Sequence, residues 1–237
     1  ILNSAGAFVK LLNGVTGNRG VHLLGNGNFL VTNSTGAHEI DSASGSLVRT
    51  IHLSPNFQYA TKYEIPNPYL RLRINLEACA ILDTVNVDIR NSSSPFSIIE
   101  SKKVVAGLGN SVDVQFNTPV NGTPYYIQVS HRNSIATWSG STPSFNSDYI
   151  NYTFISASSQ AFGNNMVNVG GKWSFFTGDV DQDGVVDVTD VGLIDNDSFN
   201  FATGYLSTDL DCNDIIDITD LAYADNNAFN FVSEVAP

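Results

Sequence analysis

Between residues 66 and 158 the chain alternates apolar and polar positions in short runs, LRLRINLE, DTVNVDIR, SIIESKKV, SVDVQF and PYYIQVSH. Leu70, Leu72, Ile74, Val85, Val87 and Ile89 alternate with Arg71, Arg73, Asn86 and Asp88. A two-residue period gives each strand one dry and one wet face. With a further strand expected at residues 150–155, about seven strands over roughly ninety residues predict an immunoglobulin-like or related β-sandwich over residues 66–172.

Residues 1–65 are also strand-like but more broken by Gly and Asn. Residues 19–51, RGVHLLGNGNFLVTNSTGAHEIDSASGSLVRTI, read as four short strands joined by Gly or Asn turns. The pattern is similar to one blade of a β-propeller, although hairpins belonging to the sandwich account for it more simply. Further strands are expected at residues 8–12 and 58–65, the first of them apolar enough to add to a neighbour's sheet edge.

The period changes after residue 172. Val188, Val191 and Ile194, then Ile218, Leu221 and Ala224, recur at three-residue spacing and predict one short helix in each half of residues 173–237. The two halves are copies. Residues 179–201, DVDQDGVVDVTDVGLIDNDSFNF, align with residues 209–231, DLDCNDIIDITDLAYADNNAFNF, with ten of 23 positions identical. The Phe-Asn-Phe ends, Phe199–Phe201 and Phe229–Phe231, are expected to pack the halves together or against the sandwich.

Charge follows the same boundary. The 237 residues carry a net −12, yet residues 1–178 hold all 11 Lys and Arg against 9 acids, while residues 179–237 hold 14 acids and no base. With no clustered Lys and Arg the chain is not expected to bind nucleic acid. No apolar run is long enough to predict a membrane span. Residue 1 is Ile with no leader ahead of it, which reads as a processed secreted chain or a fragment. Cys79 and Cys212 allow one disulfide or two small buried side chains, and spacing does not choose between them.

Each repeat opens with a twelve-residue loop of the D-x-[DN]-x-[DN] kind. Calcium takes six to eight oxygens, and loop positions 1, 3, 5, 7, 9 and 12 wrap such oxygens about one point. These positions are Asp179, Asp181, Asp183, the Val185 carbonyl, Asp187 and Asp190 in the first loop. In the second they are Asp209, Asp211, Asn213, the Ile215 carbonyl, Asp217 and Asp220. Without metal, each close pair of carboxylates costs on the order of 1–4 kcal/mol. Two Ca2+ ions are therefore expected. Position 6 requires a left-handed turn, which Gly184 meets and Asp214 meets at a cost, so the first site is expected to be the tighter.

The stretch NGTPYYIQVSHRNSIATWSG (residues 121–140), then SDYINYTFISASSQAFGNN and GDVDQDG, resembles a C-terminal module of large secreted surface proteins of Bacteroidetes- and Ignavibacteria-type bacteria. In that module a YYIVV.HRN…TWS strand precedes a dockerin-like calcium repeat. A loop followed by a single helix, used twice, likewise resembles dockerin, whose loops close on Asp as these do at Asp190 and Asp220. The resemblance covers residues 66–237 and implies an extracellular, secreted or cell-surface protein. Dockerins dock on cohesins through their helices, often using Ser or Thr at the loop end and a basic pair further along. Thr189 and Thr219 match loosely, but no Lys or Arg follows.

No catalytic constellation is visible. His22, His38, His52 and His131 have no metal-ligand spacing, and no nucleophile elbow or phosphate loop occurs. Glu39, Glu64, Glu77 and Glu100 show no glycosidase pairing. Trp138, Trp173, Tyr125, Tyr126, Tyr149 and Tyr152 fit a sandwich core better than a sugar platform. The chain is thus expected to be a non-enzymatic, calcium-stabilised structural or adhesive protein that self-assembles into a filament or layer. The alternative is a carbohydrate-binding or dockerin-bearing accessory module of a polysaccharide-degrading system, with a cohesin-like protein or a polysaccharide as partner.

Overall fold

The computed structural model describes residues 15–17, 19–53, 68–107 and 109–237. The strands expected at residues 8–12 and 58–65 lie outside them. The chain divides into two compact units, Ile1–Glu64 and Ile65–Pro237. Among the described residues the fold is mainly β with two α-helices. Among the described residues no helix is long and apolar enough to cross a membrane.

In the first unit, β1 (Gly20–Leu23), β2 (Phe29–Asn33), β3 (Gly36–Ile40) and β4 (Leu47–Leu53) form one antiparallel sheet in sequence order. The four strands expected over residues 19–51 are these, joined in a meander of their own. Gly27, at φ +84°, makes the tight turn between β1 and β2. Val31 and Ile40 are fully buried, with Val15 and Phe29 packed on them. Glu39 of β3 ties the β1–β2 turn to β4. Its carboxylate accepts from Asn26 and Asn28 Nδ2 (2.7 and 2.8 Å) and from Arg49 Nε (2.7 Å), and these bonds hold it down at about 2.

The second unit is a two-sheet sandwich. One sheet has the order β10-β9-β6-β7 and the other β11-β5-β8. The strands are β5 (Tyr69–Arg73), β6 (Asp83–Asn91), β7 (Ile98–Ala106), β8 (Ser111–Gln115), β9 (Tyr125–His131), β10 (Ser134–Trp138) and β11 (Tyr149–Thr153). Leu70, Leu72, Val85, Val87, Ile89, Val114, Ile127, Val129, Ile150 and Tyr152 meet in one core, as the alternation requires. On the wet face Arg71 makes a two-bond pair with Asp113 of the neighbouring strand. β11 runs parallel to β5, whereas the other pairs are antiparallel. Sequence periodicity singles out every one of these strands except β10. It follows β9 through an Arg132-Asn133 turn that lacks the glycine by which hairpins are recognised. A small hairpin, β12 (Val167–Val169) with β13 (Lys172–Ser174), leads into the acidic repeat. Tyr125, Trp138 and Tyr152 are buried, so these aromatics are core.

Helices α1 (Val188–Phe199) and α2 (Ile218–Phe229) follow the two loops. Both begin with a capping box. The Asp187 and Asp217 side chains accept from Thr189 N and Thr219 N, while Asp190 and Asp220 accept from the capping residue's own N–H. Val180, Ile194, Leu210, Ile216 and Ala224 form the core between the halves. One helix follows each loop, as the apolar spacing predicts, but its first apolar residue faces water and the expected packing of the phenylalanine ends fails. Val188 and Ile218 are 80% and 71% exposed, because residues three and six apart on a helix fan round by about 120° instead of stacking on one face. Phe199, Phe201, Phe229 and Phe231 do not pack the halves together; all are more than 80% exposed. Each helix ends at its first Phe, and the last Phe of each triplet is left-handed (φ +53° and +54°), which turns the chain away before the rings reach the core.

Candidate metal centre

Both loops are built by backbone N–H groups bent round carboxylates. In the first, Asp190 reaches back from α1 so that its Oδ1 accepts from Val180 N (2.8 Å) and Asp181 N (3.3 Å), and its Oδ2 from Asp187 N (2.9 Å). Asp181 Oδ1 accepts from Asp183 N and Asp183 Oδ1 from Val185 N, each two residues on. Gln182 and Gly184 are left-handed (φ +62° and +92°), the second as the turn at position 6 demands. The outcome is that carboxylate oxygens of Asp179, Asp181 and Asp183 lie within 4.8 Å of one another.

Asp179 is 2% exposed, and its Oδ1 has no hydrogen-bond partner. Burial, then the charges of Asp190, Asp183 and Asp181, push its carboxyl up to about 7. Burial also raises Asp190, partly offset by the N–H groups it holds. A buried acceptor without a donor, in a cluster of hard oxygens with no base in the segment, is the chemistry that a divalent cation satisfies.

The second loop repeats the frame. Asp220 Oδ1 accepts from Leu210 N (2.7 Å) and Asp211 N (3.1 Å), and Oδ2 from Asp217 N (2.9 Å). Asp209, Asp211 and Asp220 bring oxygens within 4.8 Å of one another. Burial raises both Asp209 and Asp211. Position 6 is Asp214 at φ +66°, the left-handed conformation expected there.

Of the twelve residues singled out from sequence, six stand in these two groups through their carboxylates. Asp190 closes the first loop as Asp220 closes the second. Asp187 and Asp217 instead cap the helices. Asn213 donates from Nδ2 to Asp211 Oδ2 and accepts from Ile215 N. Val185 and Ile215 stand where each loop pairs with the chain leaving the opposite helix, Val185 with Ser233 and Ile215 with Thr203.

Several residues that sequence reasoning passed over hold the loops to the sandwich. Glu234 donates its N–H to Gly184 O and accepts from Trp138 Nε1 and Gln128 Nε2, fastening the first loop. Glu77 accepts from Thr177 N (3.0 Å) and from Asn227 Nδ2 of α2 (2.7 Å). Asp83 accepts from His131 Nε2, Arg132 Nε and Tyr205 OH. Cys79 and Cys212 form a disulfide that joins positions 133 apart, so the third cluster of metal-binding residue types, Cys79, Asp83 and Cys212, contains no free thiol. Of the two readings the sequence left open for these cysteines, the disulfide is the one found.

No family model matches the chain, and no curated protein matches it. Among solved structures it is similar to a chain from an N-terminal interface mutant of a type II cohesin–X-dockerin complex of Acetivibrio cellulolyticus. The two are 14% identical with a TM-score of 0.38, over 69% of this chain and 97% of that one.

Proposed function

We propose that the chain is a secreted, calcium-stabilised structural or adhesive protein of the cell exterior, without catalysis of its own, that assembles with copies of itself into a filament or layer. The observation that carries the calcium half is the buried, partnerless Asp179 Oδ1 inside a carboxylate cluster whose frame recurs around Asp209, Asp211 and Asp220. Calcium would be held by oxygens of the two loops, supplying positive charge that turns mutual repulsion into coordination. The role of the protein's own residues is geometric. Asp190 and Asp220 bend the loops round, Asp187 and Asp217 start the helices, and Glu234 and Glu77 fix both to the sandwich. Millimolar extracellular calcium would keep such sites filled, so the metal acts as a structural part of the fold.

Supporting assembly are apolar side chains left in water. Val188, Ile218 and the four phenylalanines lie on or just past the helices, and β4, a sheet edge, exposes about half of each of Leu47, Val48 and Ile51. Negative-stain microscopy with and without calcium tests this: ordered polymers are expected with calcium, and a monodisperse monomer in both conditions refutes it.

A second reading is a dockerin-bearing or carbohydrate-binding accessory module of a polysaccharide-degrading system. The exposed helix starts, Val188-Thr189 and Ile218-Thr219, favour a face that docks a cohesin-like partner. A cohesin pull-down and a glycan screen distinguish the two, since saturable binding in either, with no polymer formed, selects the accessory role.

A further inference from the structure

The two loops share a frame but not a means of support. In the first, position 4 is Gln182, left-handed at φ +62°, and its Nε2 donates to the Asp179 carbonyl. The loop holds its own first residue. In the second, position 4 is Cys212, left-handed at φ +63°, and its side chain is bonded to Cys79 in the turn ahead of β6. The equivalent carbonyl, that of Asp209, accepts from Asn133 Nδ2 of the β9–β10 turn (2.9 Å). Arg132 of the same turn places Nη2 3.7 Å from Asp209 Oδ2 and 3.4 Å from Cys212 Sγ. Every job that Gln182 does within the first loop is done for the second by the sandwich.

We propose that the Cys79–Cys212 disulfide sets the calcium affinity of the second loop, so that reduction weakens this site while leaving the first unchanged. The inference rests on the calcium reading above. Cys212 lies between Asp211 and Asn213, two of the loop's ligand positions, in a backbone conformation that a side-chain-bearing residue disfavours. Bonded to Cys79, which is 3% exposed within the sandwich core, its backbone is pinned with those neighbours already placed. Once released, it relaxes toward right-handed conformations, and metal binding must restore the left-handed one. Arg132 remains beside Asp209 and competes with the cation for its charge. Among the described residues the first loop has neither a covalent restraint to lose nor an arginine paired with its carboxylates.

The reductant is a dithiol. One of its thiolates attacks Sγ of Cys212, the more exposed partner; the S–S bond breaks and Cys79 leaves as a thiolate that takes up a proton. The second thiol then closes the reductant into a cyclic disulfide and frees Cys212. Two electrons and two protons pass to the protein, and the reductant is oxidised to one disulfide.

The test is calcium titration calorimetry on the full chain, oxidised and after dithiothreitol. It is repeated on Asp181→Ala, which disables the first loop, on Asp211→Ala, which disables the second, and on Cys79→Ser without reductant. The expected result is a loss of affinity on the order of tenfold at one site only, as for removal of groups that orient metal ligands. The loss should be present in Asp181→Ala, absent in Asp211→Ala, and reproduced by Cys79→Ser. The first site serves as the folding control within each sample. Equal weakening of both sites, loss of both, or no change on reduction overturns the proposal while calcium binding itself stands. An oxidised chain that binds no calcium overturns the calcium reading and this proposal with it.

Discussion

Replacing Asp179 with Asn should stabilise the calcium-free protein and remove much of its response to calcium. Burial and three neighbouring carboxylates hold the Asp179 carboxyl at about 7 against an ordinary 3.8. For a carboxyl raised in the folded state, the cost is absent below the unfolded value, grows as pH rises from 3.8 to about 7, and is complete above that. At 1.36 kcal/mol per unit, the ionised residue destabilises the metal-free fold by up to about 4 kcal/mol at pH 8. Asn keeps the shape and the carbonyl acceptor without the charge. In chelator at pH 8 the variant should therefore melt higher, by up to roughly 15 °C at 2–4 °C per kcal/mol. At pH 4 in chelator the difference should vanish. Calcium then closes the gap, because each working site adds about 2.7 kcal/mol at one hundred times Kd and about 4.1 at one thousand times. The wild type gains this twice and the variant once, so the two melting curves should cross near the thousandfold excess. Scanning calorimetry of both proteins across a calcium series reads all of this. A variant less stable in chelator, or a gap that ignores calcium, refutes the reasoning.

Other outcomes follow from the same geometry. Asp220→Ala strips three backbone N–H groups of their acceptor and should cost about 3–5 kcal/mol in urea unfolding, against about 1 kcal/mol for the cap variant Asp217→Ala; equal costs would contradict the frame. Asp214→Gly should stabilise by roughly 1 kcal/mol, since its φ of +66° suits glycine, and Gly184→Ala should destabilise by a similar amount. Acid should loosen the four-stranded unit through Glu39. Its lowered carboxyl contributes stability that is present above 4.5 and lost as pH falls toward about 2, so exchange protection of residues 20–53 should decline over that window in wild type and stay flat in Glu39→Gln. Phe201→Ser and Phe231→Ser, both in water, should leave the melting temperature within a degree or two and reduce polymer formation or partner capture; strong destabilisation would mean that the rings are packed after all.

The sequence by itself determined what is local. A two-residue period predicts β5–β9 and β11, because one buried face per strand must be written as alternation. Repeated acids at fixed spacing predict the loops and the left-handed turns at Gly184 and Asp214, and apolar residues at three-residue spacing predict a helix after each, because every backbone donor those carboxylates use lies within ten residues along the chain. Tertiary structure decided what depends on distant partners. The pairing of Cys79 with Cys212, the use of Asn133 and Arg132 to support Asp209, and the parallel pairing of β11 with β5 join residues more than seventy positions apart, which no local period encodes. The phenylalanine ends show the same limit. Their apolarity suggests burial, yet whether a ring meets a core depends on where the preceding helix stops, and here each helix ends at its first Phe with all four rings in water.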